Sequence, residues 1–187
     1  MVSELIKKCR SFRRFDEKKR ITDEQLRSFV ESARYTPSAA NLQRLRFALF
    51  CDKASCDTIF GGLRFAAYLK DWQGPAEGER PVAYVVITSE KELDVNLAID
   101  LGIVSEAILL TAAEAGVGGC IFRSYSSDAV LPLISAEGQA ICEVIALGYP
   151  AEEVIISDVK DGDIKYYRDA LDRHVVPKRA LDELIIK

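Results

Sequence analysis

The chain has 187 residues, of which 49% are hydrophobic and 29% charged, and its formal net charge is -4. That is enough chain for one domain with a sizeable core, over residues 1–187, and too little for two; the balance is that of a soluble globular protein, not a disordered one. So mild a charge excludes a general electrostatic attraction to nucleic acid or to an anionic membrane, and any anion site must be local.

The first residues have no long apolar core and no small-residue cleavage site, so they do not read as a signal peptide. The longest apolar region, residues 94–115, is interrupted by Asp100, Glu106 and Glu114, which would be costly in lipid; no membrane span is expected. Five scattered cysteines without a Cys-x-x-Cys pair, and a single histidine, His174, predict a reduced cytoplasmic protein without a metal site.

In chain order, residues 2–9 have helical spacing and end at an arginine cluster, Arg10-Ser11-Phe12-Arg13-Arg14-Phe15. Thr22 and Gln25 have the spacing of a capping box and start a second helix, with Leu26, Phe29, Val30 and Ala33 as its apolar stripe; Pro37 ends it near Tyr35 and a polar turn follows. Residues 45–51 read as a strand and 52–60 as a short helix broken at Gly61-Gly62. Residues 70–80 are rich in turn formers and hold the only tryptophan, Trp72, either as a surface loop or as a mobile cover over a pocket. Residues 81–88, nearly all apolar and β-branched, predict a central strand covered on both faces. Residues 94–115 predict the longest helix, apolar around so much of its circumference that it should be buried on most sides, with a dimer interface as the suspected cover. Gly116 suits its C-terminal cap; 116–122 turn out of that helix into another strand, 140–147 read as a further strand, 128–134 as a short helix, and the chain closes on Lys178-Arg179 and an apolar tail, Leu184-Ile185-Ile186.

Two stretches carry chemistry. Three guanidinium groups and a hydroxyl within residues 10–14 supply short, charge-assisted donors of the kind a phosphate monoester needs, although a basic cluster also reads as a solvated face. Thr36-Pro37-Ser38-Ala39-Ala40-Asn41-Leu42-Gln43 combines small residues that allow close backbone approach with amide donors and acceptors, although Ser38 and Asn41 also read as ordinary turn residues. Cys120 reads as a core residue, His174 as a surface residue, and Lys178-Arg179 as a phosphate contact or a solvated helix start. The glycines at 116–119 do not form a dinucleotide fingerprint.

Together with Ala115-Gly116-Val117-Gly118-Gly119-Cys120 and Ala146-Leu147-Gly148-Tyr149-Pro150, these stretches resemble, in order and spacing, the FMN-dependent nitroreductase family. The resemblance implies an α+β fold, a central mostly antiparallel sheet flanked by helices, in an intertwined homodimer with flavin at the interface. It implies that Arg10, Ser11 and Arg13 bind the FMN phosphate or ribityl chain, that Pro37, Ser38, Ala39, Asn41 and Gln43 lie beside the ring, that Ile121, Phe122 and Arg123 lie along its other side, and that Lys178 or Arg179 reaches the phosphate. It implies ping-pong hydride transfer from NADH or NADPH through flavin N5 to a nitroaromatic, quinone or similar small acceptor, with no catalytic side chain, metal or nucleic acid involved. A flavin-binding protein without turnover, a flavin-fragmenting or dehalogenating relative, and an anion-binding domain without flavin are the alternatives. The sequence departs from the family at Arg44-Leu45, where Pro and Trp often follow, and at Arg123-Ser124, where many members carry an acid and a glycine.

Overall fold

The computed structural model describes residues 1–69, 71–90, 92–135 and 137–186. Apolar, β-branched residues build the central strand β2 (Ala83–Ser89), all of whose residues are buried. It pairs antiparallel with β1 (Leu45–Phe50) on one side and with β4 (Ala140–Gly148) on the other; β4 pairs antiparallel with β3 (Gly118–Phe122), giving the order β1-β2-β4-β3. On one face lie α2 (Asp23–Arg34) and α4 (Val95–Glu114), whose Leu26, Phe29, Leu101 and Ile108 join Val85 and Ile145 in one core cluster. On the other lie α3 (Lys53–Gly61) and α5 (Ser127–Val130), whose Cys56, Ile59 and Val130 meet Tyr84, Val86 and Val144. A first helix, α1 (Val2–Lys8), and a last one, α6 (Leu181–Leu184), complete the helices.

Local signals act where the sequence puts them. Thr22 accepts from the Gln25 amide and the Gln25 side chain accepts from the Thr22 amide, so the capping box forms. Asp94 caps α4 through the Leu97 amide, and Gly116 follows its C-terminus at φ +75°, a conformation that favours glycine.

The expectation that α4 is buried on most sides is corrected within the chain. One face packs on the sheet, but Val95 is 77% and Ile99 56% exposed. By length and composition α4 could cross a membrane. Its sheet-facing side, however, carries Asp100 and Ser105, both hydrogen-bonded inside the fold, as in a core helix.

The last third holds a second sheet that hydropathy patterning did not announce. β5 (Val154–Asp158) pairs parallel with β7 (His174–Lys178), which pairs antiparallel with β6 (Tyr167–Arg168). The segment after α1 ties this sheet to the main one. Ser11 bridges Gly119, the Phe12 amide donates to the Gly119 carbonyl at 3.0 Å, and Phe15 bridges Pro150. A Cβ on Gly118 would run into Phe12 and one on Gly119 into Leu109 and Leu147, so the glycine pair admits both the basic segment and α4 to β3.

Candidate functional site

The predicted residues fall into two groups on the chain. The first is the basic segment laid across β3. Arg10, at the C-terminal end of α1, donates from Nη2 to the Ile6 carbonyl at 2.6 Å, serving the open end of its own helix. Ser11 lies beside the Cys120 thiol, which burial holds above its ordinary pKa and which belongs to the core, as its sequence context predicts. Arg13 donates from Nη1 to the Ser11 carbonyl at 3.1 Å and to His174 Nε2 at 3.0 Å, and stands 4.8 Å over the Tyr166 ring. Arg14 pairs instead with the carboxylates of Asp172 and Glu79, the latter at 3.4 Å.

This difference sorts the cluster. Arg14 is matched by carboxylates and acts as a brace. The side chains of Arg10 and Arg13 are held by neutral acceptors and an aromatic face, so neither forms an ion pair among the described residues, and Ser11 lies between them in the chain. An anion site needs that combination.

Behind the segment sits Glu152, its side chain 2% exposed. It accepts from the amides of Arg13 and Arg14 with one oxygen and from Arg168 at 2.6 Å with the other. Trp72 lies between Arg14 and Arg168, 5.8 and 5.5 Å from their guanidinium carbons, and meets Phe65 edge-on. The loop that sequence left open as surface or cover is packed on this ionic cluster; Lys70 falls outside the described residues.

His174 is the clearest correction. It is expected at the surface and is 1% exposed, on β7, its ring tilted against that of Tyr166 with 5.1 Å between centroids. A guanidinium can only donate, so Nε2 accepts and the imidazole is neutral with its proton on Nδ1. Burial first, then the Arg13 charge, push its pKa down to about 4.

The second group is the turn at 36–43. A short 3₁₀ turn, Ala39–Asn41, breaks left-handed, with φ of 50° at Ala40, 54° at Asn41 and 48° at Gln43. Such residues cost about 1–2 kcal/mol each when they are not glycine, less for asparagine, and persist where surrounding contacts impose them. Asp100 from α4 supplies one such contact, accepting from the Ala39 amide at 2.9 Å, and the Ser38 hydroxyl accepts from the Gln43 amide at 3.3 Å. Ser38 thus fills its turn role, while the Asn41 side-chain amide is exposed and has no partner among the described residues. Ser38, Gln43 and Asp100 line a cavity of about 550 Å³ with Phe47 and Val104. Asp100 Oδ2 is buried there without a hydrogen-bond partner among the described residues. Pro37 is exposed at the start of the turn.

Arg44, one of the departures, is committed elsewhere: it grips Asp94 with two bonds, of 2.7 and 3.1 Å, and so ties the turn to the cap of α4. That bond and the Leu97 amide hold the Asp94 carboxyl down to about 2.

Of the residues after the glycine pair, Phe122 is buried, Ile121 exposed, and Arg123 exposed without an ion pair or hydrogen bond among the described residues. Lys178 ends β7 rather than starting a helix, and its ammonium has no partner among the described residues; Arg179 reaches Glu183 at 3.3 Å. The chain itself brings Arg10, Ser11, Arg13 and the glycine strand together, and Ser38, Ala39 and Gln43 together with Asp100. The cavity at the turn includes none of Arg10, Ser11, Arg13, Ile121, Phe122 or Arg123.

Sequence reasoning missed Asp100, Glu143, Glu152 and His174. Glu143, buried within β4, bonds Ser105 of α4. A lone acid inside an apolar helix or strand was the available signal for Asp100 and Glu143. Glu152 and His174 sit in polar stretches where no such contrast exists.

Residues 6–73 match the model of the Nitroreductase family. No curated protein matches the chain. Among solved structures, a putative nitroreductase from Desulfovibrio desulfuricans, in complex with FMN, is 20% identical with a TM-score of 0.70, covering 100% of this chain and 95% of its own. An FMN-dependent nitroreductase from Clostridium difficile R20291 is 23% identical with a TM-score of 0.63, covering 82% and 89%. NfnB from Mycobacterium smegmatis, an FMN-dependent nitroreductase in complex with NADPH, is 17% identical with a TM-score of 0.63, covering 80% and 87%. The chain therefore matches the Nitroreductase family in sequence over residues 6–73 and has the nitroreductase-like fold over its length.

Proposed function

We propose that the chain is a single FMN-binding domain that works as an NAD(P)H-dependent oxidoreductase in the cytoplasm, with the flavin held between two copies. The observation that carries this reading is the division of the site. One group offers two guanidiniums without an ion pair among the described residues, next to Ser11, the other a left-handed polar turn beside an unpartnered acceptor, and the cavity at the turn does not reach the first group. Two chains packed through the exposed face of α4, where Val95 and Ile99 lie open, would bring the group of one to the group of the other.

The residues present fit FMN. Arg10, Ser11 and Arg13, with Lys178 or Arg179, would hold the phosphate and ribityl chain; Pro37, Ser38, Ala39, Asn41 and Gln43 would hold the polar side of the ring; Ile121, Phe122 and Arg123 would border it. Bound there, FMN would supply the two-electron chemistry, taking hydride from NADH or NADPH and passing it to a nitroaromatic, quinone or similar small acceptor. The protein's part is to hold the dianionic phosphate with charge-assisted bonds and to set the charge around the ring, where an unpaired Arg123 would favour added negative charge. The FMN and NADPH complexes of similar proteins support the reading.

The test is to load the purified chain with FMN, remove the excess, and measure its visible spectrum, its mass by light scattering, and its NADH and NADPH oxidation with a quinone. About one FMN per chain, a dimer, and turnover are expected. Bound but inert flavin would make the chain a binder without turnover, a monomer holding FMN would refute the shared site, and a colourless protein would refute the cofactor.

A further inference from the structure

The buried imidazole of His174 is not explained by stability. Its Nδ1 is buried with no hydrogen-bond partner among the described residues, and an unmet buried donor is destabilising. Glutamate or aspartate would be the obvious residue to set against an inward-turned arginine, and the neighbouring Arg14 and Arg168 are each met that way, by Asp172 and Glu152. Arg13 alone of the three is met by a neutral ring. His174 lies at the start of β7, its backbone amide donating to the Glu153 carbonyl at 2.9 Å, and its ring meets at a tilt the Tyr166 ring that Arg13 also covers. Arg13, Tyr166 and His174 therefore form a three-part cluster held by the second sheet, and its net charge is that of the guanidinium.

Resting on the FMN reading, we propose that His174 is a positioning residue for the anion site: its neutral Nε2 aims the Arg13 guanidinium at the cofactor phosphate without cancelling its charge. A carboxylate at 174 would aim Arg13 equally well and quench it. The second sheet then has a function beyond closing the fold, because β7 carries both this acceptor and, four residues on, Lys178.

Binding of FMN and of riboflavin, which lacks the phosphate, separates aiming from folding. The purified full chain and its H174Q, H174E and H174A variants are titrated with each flavin, following flavin fluorescence, with thermal midpoints recorded in parallel. The wild type should prefer FMN. H174Q, which offers a neutral amide oxygen to Arg13, should keep most of that preference. H174E should lose about tenfold of it, the scale of one charge-assisted hydrogen bond, with riboflavin affinity unchanged, and H174A should fall between. Added to R13A, H174E should remove no further preference. Should H174E and H174A keep the wild-type ratio of FMN to riboflavin affinity, or lose both affinities alike, the inference is overturned while the cofactor reading stands. A wild type that takes up neither flavin overturns the cofactor reading and this inference with it.

Discussion

The four-stranded sheet and the three-stranded one are held by opposite means. Around β2 and β4 the contacts are mainly apolar, and Tyr84, Ile87, Ile145 and Leu147 are wholly buried. Around β5, β6 and β7 the contacts are ionic and aromatic: Glu152 with Arg168, Arg14 with Asp172, Trp72 between two arginines, and Arg13 on Tyr166. Burial of apolar surface is indifferent to the partner's identity, so the main sheet tolerates any repacking of similar volume. A buried carboxylate is not indifferent, since removing one member leaves the others charged and unpaired.

Single truncations should expose the contrast. Ile145→Ala in the main sheet should cost about 2–5 kcal/mol, the range for deleting a fully buried aliphatic side chain, and shift the urea midpoint of the whole protein. Glu152→Ala should cost about 3 kcal/mol, because two backbone amides and Arg168 lose their acceptor together. The two differ in what rescues them. Arg168→Met should recover part of the Glu152→Ala loss, since it removes the orphaned charge, and nothing of the Ile145→Ala loss. Equal effects of Arg168→Met in both backgrounds would mean that the second sheet is not an ionic unit.

The same contrast decides what was legible. β2, β4 and α4 were readable from the sequence because an apolar run of given length and branching has few alternatives, and α2 because Thr22 and Gln25 announce a cap. The second sheet was not, because Val154–Asp158 and His174–Lys178 mix charge with short apolar pairs, and their pairing is parallel and 20 residues apart. His174 misled for the same reason: nothing nearby in sequence marks its neighbours, which are Arg13 and Tyr166. Arg10 and Arg13 could be read as donors, but that Arg14 is a brace depends on Asp172, far along the chain. The turn at 36–43 was legible as a turn; that Asp100 holds it was not, because nothing in the sequence of the helix marks which of its acids faces the turn.

Two buried titratable groups extend the comparison to pH, one from each sheet. His174, depressed to about 4 from an ordinary value near 6.5, is neutral in the fold. Its contribution is full above about pH 6.5 and is lost as pH falls from there toward 4, because the unfolded chain takes up the proton first. Denaturant midpoints of the wild type should therefore fall across that window and those of His174→Gln should not; parallel slopes would show that the imidazole is free to ionise in place.

The smaller effect belongs to Glu143 in the main sheet, where burial pushes its pKa above the ordinary value near 4.3. The bond to Ser105 and the Arg123 charge act against that rise without outweighing it. The Ser105 hydroxyl has one proton, and it bonds both the Leu101 carbonyl, at 2.7 Å, and Glu143 Oε1. That one proton can serve only one of the two acceptors at a time. A raised carboxyl pKa contributes stability that is full at low pH and lost as pH rises through the folded value, opposite in sign to His174. Glu143→Gln keeps the shape and supplies a permanent donor to Ser105, so it should be more stable than the wild type at pH 8 and no more stable at pH 4. If the difference between the two proteins is the same at both values, the fold does not shift the Glu143 carboxyl.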